Sequence, residues 1–399
     1  MLRSLFSGIA GLRQHQTMMD VVANNIANVN TTGFKTSSVV FEDTLSQTIR
    51  NSAAPTTDIG GINPAQVGLG VQLGAISTNF GQGSAQTTNK TTDLMIQGDG
   101  FFLLRKGAET VYTRAGDFNF DSDGTFANNQ GMAVQGWMGT NGVVNTSGPV
   151  TDIVIPAGTL IPPVASTTVT VSGNISSTTA IGDVLTLGAT VYDDVGNSHS
   201  LIITLTKTSD TDFTADLSEN GAPVGASGSI TFNPDGTISA ETDPTVQLTA
   251  SGPTLAVSLA GATQYGGPKS ISVIDADGSA AGTLQQFQIG TDGVITGVFS
   301  NGIKQSMATL ALANFNNPVG LEKLGNSTYG TSTNSGLPQV GVPGSGSRGS
   351  LISGALEMSN VNLAEEFTAL IVAQRGFQAN SRVITSSDEM LQDLVNIKR

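Results

Sequence analysis

The chain has 399 residues and a formal net charge of −14, because 31 Asp and Glu outnumber 17 Lys and Arg. The length allows two or three domains, and the acidic balance argues against nucleic acid or an anionic membrane surface as a partner. The sequence contains no cysteine, which excludes a disulfide framework and a thiolate site.

An amphipathic helix is predicted over residues 2–30, where apolar residues recur at steps of three and four. Its opening stretch, SLFSGIAGL, is too short and too polar for a cleaved export signal, and no apolar run in the chain is long enough for membrane insertion. We expect the apolar face to pack against other helices. The positions assigned to that face are Leu2, Leu5, Ile9, Leu12, Met19, Val22, Ile26 and Val29.

Amide side chains and a glycine mark the predicted end of this helix. Asn and Gly readily adopt the left-handed backbone that ends helices. The asparagines allow two interpretations, a fraying helix end or amides that hydrogen-bond to a packed neighbour. The turn and linker residues singled out here are Asn24, Asn25, Asn28, Asn30, Gly33 and Phe34.

Residues 31–75 have no regular pattern and are predicted to form an extended linker segment. A structureless stretch of this length is unusual inside a compact domain. Because Val40, Phe41 and Leu45 are apolar residues worth burying, we expect contact with another surface to order the segment.

Two β regions follow, one nested in the other. Residues 76–145 and 284–357 contain short strand patterns separated by turn dipeptides such as Asp-Gly, which predicts antiparallel hairpins in one inner β domain. Residues 146–283 contain many closely spaced strand patterns, typical of a sandwich or small barrel. We interpret them as an outer β domain inserted at a hairpin turn.

A second helix is predicted within residues 358–399. Asn362 would supply the N-cap oxygen, and Glu365 would reach back as in a capping box. Apolar residues at heptad spacing indicate a partner helix. The positions assigned to this face are Leu363, Phe367, Leu370, Phe377, Ile384, Leu391 and Leu394.

The predicted fold class is α+β and multidomain, mostly antiparallel β. Residues 1–30 and 358–399 form a coiled-coil-like helical core domain, and the discontinuous β domains are nested between them. Each helix is apolar over more than one stripe, so it needs burial on several sides. We expect other copies of the chain to supply that burial, and head-to-tail contacts that do not close produce a helical filament.

Catalytic, cofactor and metal sites are predicted to be absent, so we expect no enzyme. His15 and His199 are far apart in sequence and are expected to be isolated from carboxylate clusters. The Asp-x-Asp-Gly stretches at 121–124 and 275–278 lack the twelfth-position Glu of a calcium loop and are interpreted as hairpin turns. The sequence contains no phosphate-binding loop or nucleotide fingerprint.

Both ends of the chain resemble a known family. SLFSGIAGLRQHQTMMDVVANNIANVNTTGFK resembles the N-terminal motif of bacterial flagellar rod and hook proteins, and EMSNVNLAEEFTALIVAQRGFQANSRVITSSDEMLQDLVNIKR resembles their C-terminal motif. TRAGDFNFDSDGTFANNQGMAVQGW and GVITGVFSNG are similar to parts of the family's β domain. The resemblance covers roughly residues 1–145 and 284–399. The insertion at 146–283 favours a hook protein, since a rod protein would have a far smaller middle.

This resemblance implies a structural subunit that self-assembles into the tubular hook, the flexible joint that transmits torque in bacterial motility. It implies type III export without cleavage and an extracellular location in the flagellum. The implied partners are other copies of the chain, the distal rod protein, the hook cap protein, the hook–filament junction protein and the export apparatus.

Two alternatives stay open at this point. One is a distal rod or junction protein of the same axial family. The other, from a different class, is a β-rich surface adhesin, suggested by the Ser/Thr/Gly-rich outer region.

Overall fold

The computed structural model describes residues 2–55, 60–249 and 252–397; the side chains of residues 2, 3, 394, 395 and 397 lie outside the described part. The chain divides into two compact units. The first comprises Met1–Pro156, Gln288–Thr296 and Ser306–Arg399, and the second comprises Ala157–Phe287 and Gly297–Gln305.

The first unit begins with helix α1 (Leu2–Ala27). The helix ends at Ala27 rather than near residue 30, because Asn28 uses its side chain locally. Its Nδ2 donates to the Asn24 carbonyl at 2.9 Å, and its Oδ1 accepts from Thr31 Oγ1 at 3.0 Å. Such local side-chain hydrogen bonds compete with helix continuation.

Parts of the predicted linker segment at 31–75 form paired strands, which the sequence pattern did not indicate. Strand β1 pairs antiparallel with β4, and β2 pairs antiparallel with β3. Because the partner strands are separated by an intervening loop or hairpin, no local pattern indicates the pairing. The strands of this part of the chain are β1 (Ser37–Asp43), β2 (Ser46–Arg50), β3 (Ala65–Gly68), β4 (Val71–Thr78), β5 (Ala85–Thr87), β6 (Leu94–Gln97), β7 (Phe101–Lys106), β8 (Glu109–Thr113), β9 (Phe118–Phe120), β10 (Phe126–Asn128), β11 (Ala133–Thr140), β12 (Val143–Val144) and β13 (Thr151–Asp152).

The second unit is a β structure built from two main sheets. One has the order β16-β17-β18-β20-β21 with β19 beside β18, and the other has the order β22-β23-β15-β24, in which β15 and β23 run parallel. Alternate residues of both sheets form one buried apolar cluster, as in a sandwich. The strands from here to the return into the first unit are β14 (Leu160–Ile161), β15 (Thr168–Asn174), β16 (Val184–Tyr192), β17 (Ser198–Lys207), β18 (Asp212–Glu219), β19 (Ala222–Pro223), β20 (Gly228–Phe232), β21 (Ile238–Thr242), β22 (Thr245–Gln247), β23 (Thr254–Thr263), β24 (Ser272–Ala276), β25 (Gly282–Ile289), β26 (Val294–Phe299) and β27 (Lys304–Leu310).

The first unit is completed by its C-terminal part, in which Asn362 caps the second helix as predicted. Its Oδ1 accepts a hydrogen bond from the Ala364 amide at 3.1 Å. The remaining elements are β28 (Leu312–Asn314), a short 3-10 helix (Pro318–Gly320), β29 (Glu322–Gly325), β30 (Thr328–Gly330), β31 (Gln339–Gly341), β32 (Ser350–Ser353), β33 (Ala355–Glu357) and helix α2 (Leu363–Ile397).

We call β5–β13 together with β28–β33 the inner β region. Its main sheet places β11, β7, β8, β30 and β29 side by side, all antiparallel. The ring of Phe101 meets those of Phe80, Phe315 and Tyr329 edge-on, at centroid distances of 5.4, 5.8 and 5.8 Å. Trp137 is buried and donates its indole N–H to the Gly148 carbonyl at 2.8 Å.

The predicted fold class, mostly antiparallel β with helices at both ends, is confirmed. The second unit comprises Ala157–Phe287 and Gly297–Gln305, where the sequence suggested an inserted domain over 146–283. Contacts group the helices with the inner β region in one unit. The finer division into four domains stays a prediction.

Candidate assembly surface

The two helices lie antiparallel and meet through small residues. Gly8 and Gly11 are buried on α1, and Ala373 is fully buried on α2. A Cβ atom at Gly11 would lie 2.5 Å from Asn380 Nδ2, and one at Gly376 would overlap the His15 ring. The helices therefore approach more closely than large side chains would allow.

The sequence assigned large apolar residues of both helices to self-assembly, and that assignment stays a prediction. Leu363, Phe367 and Phe377 are exposed and do not form the centre of the contact. The side chains of Leu2 and Leu394 lie outside the described residues. Val22 is buried. The other assigned positions are half-buried: Leu5, Ile9, Leu12, Met19, Ile26, Val29, Leu370, Ile384 and Leu391.

Asn25 links α1 to β1 and to α2 through side-chain hydrogen bonds. It is 1% exposed; its Nδ2 donates to the Ser37 carbonyl at 2.8 Å and to Glu366 Oε1 at 3.0 Å. The Ser37 amide donates back to Asn25 Oδ1 at 3.1 Å. Burial raises the pKa of Glu366, against the hydrogen bond from Asn25. For Asn25 the hydrogen-bonding interpretation holds, whereas Asn24 and Asn30 are exposed.

The turn residues Gly33 and Phe34 lie where the chain leaves α1. Gly33 has a φ of +65°, and a Cβ there would lie 2.7 Å from the Arg114 carbonyl carbon. Glycine is therefore required by both backbone angle and space. Phe34 is half-buried, with Lys323 Nζ 5.3 Å above its ring.

Sequence reasoning missed a buried ion pair between Lys35 and Glu357, whose Nζ and Oε1 atoms are 2.6 Å apart. The two residues are 322 positions apart, so no local pattern connects them. Charged residues make up only 12% of the chain. This rarity was the one available indication that an individual charged residue such as Lys35 has a specific structural role.

Large apolar side chains remain exposed on the helices and on the β2–β3 hairpin. Phe367, Ile371 and Val372 are 49%, 57% and 56% exposed on α2. Leu45 and Ile49 are 83% and 67% exposed, and every residue of β2 is exposed. An isolated two-stranded hairpin is marginally stable in water, and contiguous apolar patches mark interaction sites.

His199 is not isolated from carboxylates, contrary to expectation. In the second unit its Nδ1 lies 2.5 Å from Glu219 Oε1 and its Nε2 lies 3.4 Å from Asp193 Oδ2. The hydrogen bond to Glu219 is the main cause that raises the pKa of His199. Burial acts to raise the pKa of Asp193, but hydrogen bonds from Asn197 and its neighbours outweigh it and lower the pKa to about 2.

We expect His199→Gln to remove the stabilisation of the folded chain that the protonated His199 supplies at low pH. Because the folded-state pKa of His199 is raised, its contribution is fully present below the unfolded-state pKa of about 6.5 and disappears as pH rises through the folded-state value. The variant should unfold about 2–4 °C below the wild type at pH 6 and level with it at high pH. Calorimetry across this range measures the difference, with Glu219→Gln as a partner-side control; identical pH profiles for all three proteins would contradict the assignment.

Among the described residues, no group of three or more His, Asp or Glu is arranged to hold a metal ion. Of the described helices, none is long and apolar enough to cross a membrane.

Four family models match the chain in the order of its parts. They are described as flagella basal body rod protein (residues 6–35), flagellar hook protein FlgE/F/G D1 domain (95–177), flagellar basal body protein FlaE D2 domain (186–279) and flagellar basal body rod FlgEFG protein C-terminal (352–397). The flagellar hook protein FlgE of Borreliella burgdorferi is 38% identical over the full length of both chains.

The chain belongs to the flagellar hook protein FlgE family. The flagellar basal-body rod protein FlgG of Bacillus subtilis is also 34% identical over the full length of both chains. The crystal structure of Helicobacter pylori flagellar hook protein FlgE2 covers 68% of this chain and 100% of its own, with a TM-score of 0.53 and 14% identity, which supports the fold.

Proposed function

We propose that the chain is a structural subunit that polymerises through its terminal helices into the tube of a flagellar hook. The exposed apolar side chains of α2 carry this proposal, because a single subunit leaves them in contact with water. Family membership favours this function over a surface adhesin and over the rod and junction alternatives.

The chemistry of the two ends suits such a polymer. Close packing of α1 on α2 uses one face of each helix, and the outer apolar faces are available to neighbouring copies. Contacts that repeat head to tail without closing generate a helical tube. Tight packing of the helices would resist twisting of the tube. Water-mediated contacts between the β units of neighbouring copies could slide as the tube bends.

The wider setting follows from the family. The subunit would leave the cell by the flagellar export apparatus and join the flagellum outside it, between rod and filament. Its partners would be the distal rod protein, the hook cap protein and the hook–filament junction protein, besides other copies of itself.

The test is the variant Phe367→Ser/Ile371→Ser/Val372→Ser. Since these side chains are exposed, the free subunit should keep its unfolding temperature. The loss of apolar contact area should reduce polymerisation at least tenfold, measured by sedimentation and by electron microscopy of purified protein under polymerising conditions.

The matched control is Ile181→Ser/Val184→Ser/Val195→Ser, which removes apolar side chains of similar exposure, 62%, 55% and 70%, from the second unit. This control should still form tubes. Normal tubes from the α2 variant would refute assembly through this helix face.

A further inference from the structure

Three charged side chains are buried where the chain passes between the helices and the inner β region. Lys35 lies in the segment after α1, Glu357 is the last residue of β33, and Arg114 follows β8. The side chains of Lys35 and Glu357 are fully buried, and that of Arg114 is 3% exposed. Charged side chains are rarely buried to this extent, so the cluster calls for a specific role.

The carboxylate of Glu357 lies at the centre of the cluster. Lys35 Nζ is 2.6 Å from Glu357 Oε1 and also donates to the Gly81 carbonyl at 2.8 Å. The same Oε1 accepts the Gly83 amide at 2.9 Å. Arg114 Nη1 is 3.5 Å from Glu357 Oε2, which is an ion pair longer than a good hydrogen bond.

The cluster is not the arrangement that would maximise stability. Two cations share one carboxylate, and removal from water lowers the pKa of both Lys35 and Arg114, with Glu357 acting in the opposite direction. Within the described part of the chain, Arg114 Nε has no hydrogen-bond partner. Buried ion pairs are often no more stable than apolar replacements, but they can specify one geometry.

The surrounding hydrogen bonds join three segments: the one that leaves α1, the one that enters α2 and the one that follows β4. The Gly33 amide donates to the Glu357 carbonyl at 2.8 Å, and the Thr36 amide donates to Asn360 Oδ1 at 2.9 Å. Asn360 Nδ2 in turn donates to the Asn79 carbonyl at 2.9 Å. The charges and these bonds together define one relative position of the three segments.

We propose that Lys35, Glu357 and Arg114 form a buried electrostatic joint that fixes the position of the helix pair on the inner β region. The joint rests on the proposed function in one respect. By holding the helix pair at one orientation relative to the inner β region, it presents the assembly surface to neighbouring copies in one orientation. Its role is positioning, and its contribution to stability is secondary.

The test measures helix position in the free full-length subunit. Because the chain lacks cysteine, spin labels can be attached to Asp20→Cys on α1 and Glu109→Cys on β8, both exposed positions. The variant Lys35→Met/Arg114→Met/Glu357→Leu removes the charges and keeps apolar volume. We expect its Tm to equal or exceed that of the wild type, the label-to-label distance distribution to broaden, and tube formation to fall at least tenfold.

The matched control is Arg105→Met/Asp152→Leu, which removes a partly exposed ion pair from the inner β region. It should leave both the distance distribution and tube formation unchanged. A narrow, wild-type distribution in the triple variant would overturn the joint. If the triple variant does not fold, Glu357→Gln takes its place in the same measurement, with broadening expected and a narrow distribution again decisive against the proposal.

The joint and the proposed function can fail separately. A broadened distribution together with a wild-type chain that forms no tubes would support the joint and refute the hook function. Tubes from the wild type and equally from the triple variant would refute the joint and leave the hook function standing.

Discussion

Replacing Gly376 by Leu is expected to separate α1 from α2 and abolish polymerisation, while the β strands of both units stay folded. Any Cβ at this position overlaps the His15 ring, and overpacking a close contact costs about 1–3 kcal/mol. Helix propensity acts in the opposite direction, since Leu is better than Gly by about 0.8–1 kcal/mol within a helix. A loss of helix stability in the variant would therefore indicate steric exclusion, and a gain would indicate that helix propensity dominates.

The measurements are electron microscopy of polymerised samples and hydrogen exchange of the helix amides in the free subunit. Gly376→Ala should show a milder defect, and His15→Ala/Gly376→Ala should recover much of it because the ring that obstructs the Cβ is gone. A Gly376→Leu chain that forms normal tubes, or a double variant no better than Gly376→Ala, would contradict the close-packed helix contact.

Phe102→Ala is expected to lower the free energy of unfolding of the first unit by about 3–5 kcal/mol. Phe102 is fully buried on β7, and its ring meets that of Phe118 edge-on at 5.1 Å between centroids. The substitution removes apolar burial and leaves a cavity that the rigid sheet can only partly fill. Denaturant unfolding of the full-length chain measures the loss.

Phe6→Ala is the matched control, because the same change is made at a side chain that is 66% exposed on α1. Its effect on unfolding should stay within about 0.5 kcal/mol, while polymerisation should weaken if this helix face meets neighbouring copies. Equal losses of stability in the two variants would contradict the assignment of Phe102 to the core and Phe6 to the surface.

The ends of the chain illustrate what can be predicted from local pattern. Apolar spacing predicted helices at both termini, Asn362 predicted the start of α2, and Asp-Gly turns predicted antiparallel hairpins, all of which depend on neighbouring residues in sequence. The same pattern did not identify the helix faces in contact. Because Gly11, Ala373 and Gly376 are small, they carry no hydrophobic periodicity, although they decide how closely the helices approach.

The sequence by itself determined the fold class, the two terminal helices and the resemblance that the family matches bear out. Tertiary structure alone decided that β1 pairs with β4 and β2 with β3, that His199 lies between two carboxylates, and that Lys35 meets Glu357. These features join residues that are not neighbours in sequence, up to 322 positions apart. Their partners are chosen by burial and charge in the folded chain, so no local periodicity encodes them.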